Sequence, residues 1–250
     1  MKEHITAPAP RFLLRLKILE RILKGLNKEG IQTVCEIGPG LGDLSSLAAE
    51  VLDPAGIALF DSSEAARELL VDRFGSAKGV SVHGEFVPNR SYDAVLCCEV
   101  VEHIDNDCAF LEDIHTPLND GGVLIGSVPA FISKWQSADI YGGHYRRYEY
   151  KELVNKLGEA GFSDIEIYPY GFPLVNLTYL LRQAYYSSEL RGSETKSKQD
   201  ATEKSGISRG LVNKLNKNFV YFVVAGFSLL QSMPWPRSFH DGFVFKGTRA

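Results

Sequence analysis

Residues 34–43, VCEIGPGLGD, constrain this chain more than any other stretch. The apolar run TVCEIG reads as a short buried strand. Gly38, Gly40 and Gly42 then read as a tight turn, and LGDLSSLAAEVL as the helix that follows. Glycine there lets the backbone fold sharply and approach a ligand with no Cβ in the way. Glycine spacing alone does not separate dinucleotide sites from S-adenosylmethionine sites, but two acids do. Asp43 stands where the dinucleotide pattern G-x-G-x-x-G needs glycine or alanine, and its carboxylate would oppose a pyrophosphate at that helix N-terminus. Glu36, just before the first glycine, suits a ligand that carries an ammonium group.

Strand-like and helical stretches alternate beyond this point. GIALFD is a second strand and SSEAARELLVDRF a helix; GVSVHG and YDAVLCC are the third and fourth strands. A helix is expected over 107–118, and GGVLIGSV is the fifth strand. This rhythm predicts an α/β fold, a mostly parallel sheet with helices on both faces. Residues 10–29 precede it as a helix with the stripe Phe12, Leu16, Leu19, Leu23 and Leu26, ended by Gly30. After Val128 the rhythm changes. Residues 129–148 read as a loop rich in aromatic, histidine and arginine residues, followed by a helix over 149–160 that stops at Gly161. SDIEIYPYGF is a sixth strand and GFVFKGT the last. Between them, an insertion over 172–238 carries two apolar helices, VNLTYLLRQAYY and NKNFVYFVVAGFSLLQSM, around a polar segment 191–206 that is expected to be mobile. The chain is thus one domain, 1–250, with a core at 31–171 and a last strand at 239–250.

Composition excludes some partners. A formal net charge of -4 gives no reason to expect a nucleic-acid surface. Cys35, Cys97, Cys98 and Cys108 form no CxxC pair, so neither a disulfide framework nor a metal site is expected. Cysteines inside apolar strands suit a reducing, cytoplasmic location. The N-terminus shows no signal-peptide pattern. The longest apolar stretch, FVYFVVAGFSLLQSM, falls short of the roughly 20 residues of a membrane-spanning helix, so no transmembrane helix is expected.

The motifs together resemble those of the class I S-adenosylmethionine-dependent methyltransferases. EIGPGLG is similar to their first motif, E/D-x-G-x-G-x-G, and LFDSS to their second, an acid closing strand two. HGEF resembles the pair after strand three, with Glu85 where the family usually has aspartate. YDAVLCCEVVEHI and GGVLIGSVP resemble the fourth- and fifth-strand motifs. The resemblance covers roughly residues 10–170 and the final strand. It implies a Rossmann-like, doubly wound seven-stranded sheet with an antiparallel last strand. It also implies S-adenosyl-L-methionine as cofactor, held by Glu36, Gly38, Gly40, Asp61, Ser62, Glu85, Phe86 and Cys98. Asp61 would take the ribose hydroxyls and lies about twenty positions beyond the turn, the spacing of a ribose-binding acid.

HYRRYEYKELVNKLGEAGF, at 144–162, resembles a stretch of the small-molecule and quinone-precursor subgroup. The acceptor is then a small, partly apolar molecule methylated on oxygen, nitrogen or carbon beneath the segment after strand five. His144 is the expected general base, since its intrinsic pKa suits proton removal near neutral pH. Glu99 and Tyr148 are further catalytic candidates. His144 and Arg147 as mere staples of the lid is an equal alternative, and His103 reads as a structural helix-start residue. The aromatic insertion helices are expected in the core, with an apolar substrate cover, or contact to a lipid carrier or membrane surface, as the alternatives. Two other functions compete with catalysis on a free metabolite: a non-catalytic S-adenosylmethionine-binding subunit and an enzyme for a lipid-linked acceptor.

Overall fold

The computed structural model describes residues 8–26, 30–88, 90–192, 201–202 and 217–250. Seven strands make one sheet: β1 Thr33–Ile37, β2 Gly56–Phe60, β3 Val80–His83, β4 Tyr92–Cys98, β5 Leu118–Pro129, β6 Phe162–Tyr170 and β7 Gly242–Arg249. Their order is β3-β2-β1-β4-β5-β7-β6. The first five run parallel, and β7 is antiparallel to both β5 and β6. The last strand therefore lies inside the sheet, where Val244 pairs with Ser127 on one side and Tyr168 on the other.

Alternate residues of the central strands supply two cores, as the period-2 pleat dictates. On one face Cys35, Val95, Cys97, Phe243 and Phe245 pack with Leu111 of helix α4 (Asp107–His115) and Leu157 of α6 (Tyr150–Glu159). On the other face Val34, Leu59, Leu96 and Val244 meet helices α1 (Pro10–Leu26), α2 (Asp43–Leu52) and α3 (Glu64–Phe74). Ser63 caps α3 by accepting the Ala66 N–H at 3.3 Å. Strand order reverses between β1 and β4, so the ligand crevice lies at their carboxyl ends.

The N-terminal helix buries a wider face than its expected stripe. Leu19, Leu23 and Leu26 are buried as read, but Leu13, Leu14, Ile18 and Ile22 are buried too, whereas Phe12 and Leu16 are only partly covered. Two neighbours explain this. The carboxyl half lies on the sheet face, while Leu13 and Leu14 meet Leu174, Val175, Val220 and Val224 of the insertion. That insertion holds α7 (Leu174–Leu177), α8 (Tyr179–Gly192) and α9 (Lys217–Gln231). Buried Gln231 fastens α9: its Nε2 donates to the Leu14 carbonyl at 3.1 Å and its Oε1 accepts the Gly171 N–H at 2.7 Å.

Two expectations need amending. The segment after β5 is not merely a loop, because it contains a 3-10 turn (Ile132–Lys134) and helix α5 (Ser137–Gly142). The polar segment 191–206 lies largely outside the described residues; within it, Ala201 is buried and Thr202 packs near His103. Among the described residues, no helix is long and apolar enough to cross a membrane.

Candidate active site

A cavity of about 910 Å³ opens at the carboxyl ends of β1, β2, β4 and β5. One end is built by the glycine turn. Gly38 adopts φ 68°, and a Cβ there would fall 2.5 Å from Val100 Cγ2, so only glycine fits without displacing the β4 loop. Glu36 is buried beneath the turn and accepts from Ser45 Oγ at 2.5 Å. Burial, reinforced by the nearby Asp43 and Asp61 carboxylates, raises its pKa to about 7. Asp61 closes β2, and its carboxylate accepts the backbone N–H of Gly40 and of Ser63, each at 3.0 Å. Asp43 is paired with Arg73 at 3.0 Å. The floor is apolar: Phe60 stacks on His83 at 4.9 Å and meets Phe86 edge-on at 5.5 Å. Ser62, Glu85 and Cys98 also line this end, with Glu85 exposed and the Cys98 thiol pushed up to about 12 by burial.

This end fits S-adenosylmethionine. The residues that could hold it are the buried Glu36 carboxyl for an ammonium, Asp61 for ribose hydroxyls, and the Phe60 and Phe86 rings for a flat base. Arg15, which sequence reading passed over, lines the same cavity with a buried Nε that has no hydrogen-bond partner among the described residues. It suits the methionine carboxylate.

The other end corrects two catalytic candidates. Glu99 has a left-handed φ of 57°, and its carboxylate takes Arg11 at 2.5 Å, Arg15 at 3.0 Å, Ser127 Oγ at 3.0 Å and Tyr170 Oη at 3.1 Å. Burial pushes its carboxyl up, but the two guanidiniums outweigh it and hold the group far below the usual range. An acid so stabilised as the anion is a poor proton acceptor. Tyr148 is fully buried and donates to Asp107 at 2.7 Å, which makes it a strut between the lid and α4.

His144, in contrast, lines the cavity. Its Nδ1 is 2.9 Å from Oδ1 of buried Asp139, on α5, which also takes Arg147 Nε at 2.9 Å. Arg147 is the staple: it donates to the Ala130 carbonyl at 3.1 Å and to Asp241 at 3.4 Å. His103 is also in the cavity wall rather than only a helix-start residue. It meets His144 edge-on at 4.7 Å, and burial, then His144, lower it to about 3. Behind them lies Glu102, fully buried, its carboxyl raised well above the ordinary range by burial and then by Glu99. Glu102, His103 and His144 are three grouped side chains of metal-ligand type, which cysteine spacing could not reveal. Helix α8 roofs this end: Tyr186 packs on Tyr141 at 5.2 Å, and Ser137 N–H donates to Gln183 at 3.0 Å.

Residues 3–167 match the methyltransferase-domain family model. The chain belongs to the class I S-adenosylmethionine-dependent methyltransferases. Among curated proteins it is 32% identical over 120 residues to a ubiquinone biosynthesis O-methyltransferase of Paramagnetospirillum magneticum, an alignment of 47% of this chain and 48% of that one. The chain thus spans about half the length of that relative. Two solved structures show the fold at low identity. A Haemonchus contortus phosphoethanolamine N-methyltransferase 2 in complex with S-adenosyl-L-methionine is 17% identical with a TM-score of 0.53, over 87% of this methyltransferase and 48% of that chain. The [4+2]-cyclase SpnF is 14% identical with a TM-score of 0.52, over 92% and 81%. The second name shows that this fold does not by itself dictate methylation.

Proposed function

We propose that this methyltransferase acts on an oxygen of a small, partly apolar hydroxylated molecule, beneath the cover made by α5, residues 143–148 and α8. The observation that carries this reading is His144, which faces the cavity with its Nδ1 fixed by buried Asp139. A hydroxyl must lose a proton as it is methylated, and an imidazole oriented by a carboxylate is suited to govern that step. The curated relative named as an O-methyltransferase supports oxygen over nitrogen or carbon.

S-adenosylmethionine supplies the electrophilic methyl carbon when bound. The chain's own part is positioning. Glu36, Asp61 and the glycine turn hold the cofactor end; Tyr141, Tyr145 and Tyr186 give the acceptor an apolar wall. Alignment of acceptor oxygen, carbon and sulfur, with water kept out, provides most of the acceleration in such a displacement. His144→Ala should lower kcat by roughly 10²–10⁴-fold while leaving S-adenosylhomocysteine affinity unchanged. A raised KM with intact kcat would reduce His144 to a lid residue.

A lipid-linked acceptor is the second reading. Leu180 and Phe222, on α8 and α9, are 77% and 79% exposed, a costly arrangement for a chain that meets only water. Co-sedimentation with anionic phospholipid vesicles, weakened in Phe222→Ser, is the result that favours it.

A further inference from the structure

We infer that the acceptor carries an oxyanion, a carboxylate or a phosphate, and that Arg182 of α8 binds it in the cavity that His144 also lines. The inference rests on the reading that the acceptor lies beneath α5 and α8, and it adds the charge of that acceptor.

Arg182 and Tyr186 stand four positions apart on α8, so they share a helix face, and both line the cavity. That face is fixed by its neighbours. Gln183 accepts the Ser137 N–H at 3.0 Å, Ser187 Oγ meets Ser137 Oγ at 2.8 Å, and Tyr186 packs on Tyr141. Arg182 is therefore held at the cavity by α5, the helix that also carries Asp139. The carboxylate it meets there is already in use. Asp241 Oδ2 accepts from Arg11 Nε at 2.7 Å, and Oδ1 from Arg147 Nη1 at 3.4 Å. Arg182 Nη1 stops 4.0 Å from the same Oδ2, beyond hydrogen-bond reach. That nitrogen is buried with no hydrogen-bond partner among the described residues, while the side chain as a whole is 18% exposed. Arg147 shows how a structural arginine sits in this network: it is buried and donates to Asp139, the Ala130 carbonyl and Asp241. A buried charged donor without an acceptor is costly, and native proteins seldom retain one without a use for it.

The balance of charge points the same way. Among the described residues, Arg11, Arg15, Arg147 and Arg182 face Glu99, Asp139 and Asp241 in one linked set of ion pairs, which leaves one positive charge over. S-adenosylmethionine does not remove that excess. It brings a sulfonium and an ammonium with one carboxylate, and Glu36 can offset only one of the two cations. An acidic acceptor removes it. A guanidinium presents its N–H groups in a planar fork that matches the oxygens of a carboxylate or a phosphate, so Arg182 would set the orientation of the acceptor as well as its charge. Tyr141 and Tyr186 supply apolar surface for the rest of that molecule.

The test uses the full chain saturated with S-adenosylhomocysteine, so that the cofactor end is filled. Calorimetry then measures the binding of hydroxyphenylacetate, hydroxyphenyl phosphate and the neutral hydroxyphenylacetamide. One acid or the other should bind at least roughly tenfold more tightly than the amide, and which acid does so tells carboxylate from phosphate. Arg182→Gln should abolish that preference, and Arg182→Lys should keep part of it, because the charge stays while the planar fork is lost. S-adenosylhomocysteine affinity should be unchanged in both variants. Equal binding of the acids and the amide, or a preference that survives Arg182→Gln, overturns the inference. Weaker S-adenosylhomocysteine binding in an Arg182→Gln variant of unchanged Tm also overturns it, and assigns the arginine to the cofactor. The product of a turnover with labelled cofactor separates this inference from the reading it rests on. An acidic product methylated on nitrogen or carbon contradicts the oxygen-acceptor reading alone, and a neutral O-methyl product contradicts the bound oxyanion alone.

Discussion

Glu36 shows how burial tunes a single acid at the proposed cofactor end. Its pKa of about 7 arises from burial first, with Asp43 and Asp61 adding to it. Relative to the unfolded chain the group is raised, so its contribution to stability is full below about pH 4.5 and lost as pH rises through about 7. A bound ammonium favours the ionised form. Binding at pH 6 must then expel a proton, and S-adenosylhomocysteine affinity should be about tenfold weaker at pH 6 than at pH 8. Calorimetry in buffers of different ionisation enthalpy checks this, and Glu36→Gln should flatten the profile. Glu36, Gly38 and Asp61 line one cavity, and that grouping was readable in the sequence because neighbours in each motif are neighbours in space. Glu99 was misread for the opposite reason: the arginine that quenches it, Arg11, lies 88 positions away. No local pattern carries that pairing.

Helix α1 acts as a strap across the site. Arg11 ties Glu99 at 2.5 Å to Asp241 at 2.7 Å, and Arg15 adds a second contact to Glu99 at 3.0 Å. Removing Arg15 takes one of two guanidiniums from Glu99 and leaves it Arg11, Ser127 and Tyr170. Arg15→Leu should therefore cost about 1.5–3 kcal/mol of unfolding free energy, measured by urea titration at neutral pH. The loss should shrink on acidification as Glu99 protonates, since a carboxyl held low in the folded state contributes above its unfolded pKa and not below its folded one. The helix itself was evident from its apolar period, but Arg11 and Arg15 on its covered face were the unused signal. Helix α5 was not evident, because six residues are too few for a period to show. Yet α5 carries Asp139, which orients His144.

At the scale of the whole molecule, the alternation of strands and helices was enough to specify the doubly wound sheet, because each βα unit is a local pattern. The placement of β7 between β5 and β6 was not written locally; it depends on pairings with strands more than seventy residues earlier in the chain. The insertion was recognised as helical and weighed as a substrate cover; the residues that place α8 over the cavity, such as Tyr186 against Tyr141, come from the tertiary contacts. The most direct measurement is a single turnover with methyl-labelled S-adenosylmethionine and a small-molecule extract, resolved by mass spectrometry. The label should appear as an O-methyl group on a low-mass compound. It should be reduced in His144→Ala through the rate, and in Asp61→Ala through at least tenfold weaker cofactor binding, about 1.4 kcal/mol. Cofactor that binds the wild-type chain with ordinary affinity but keeps its methyl group against every acceptor would contradict the account.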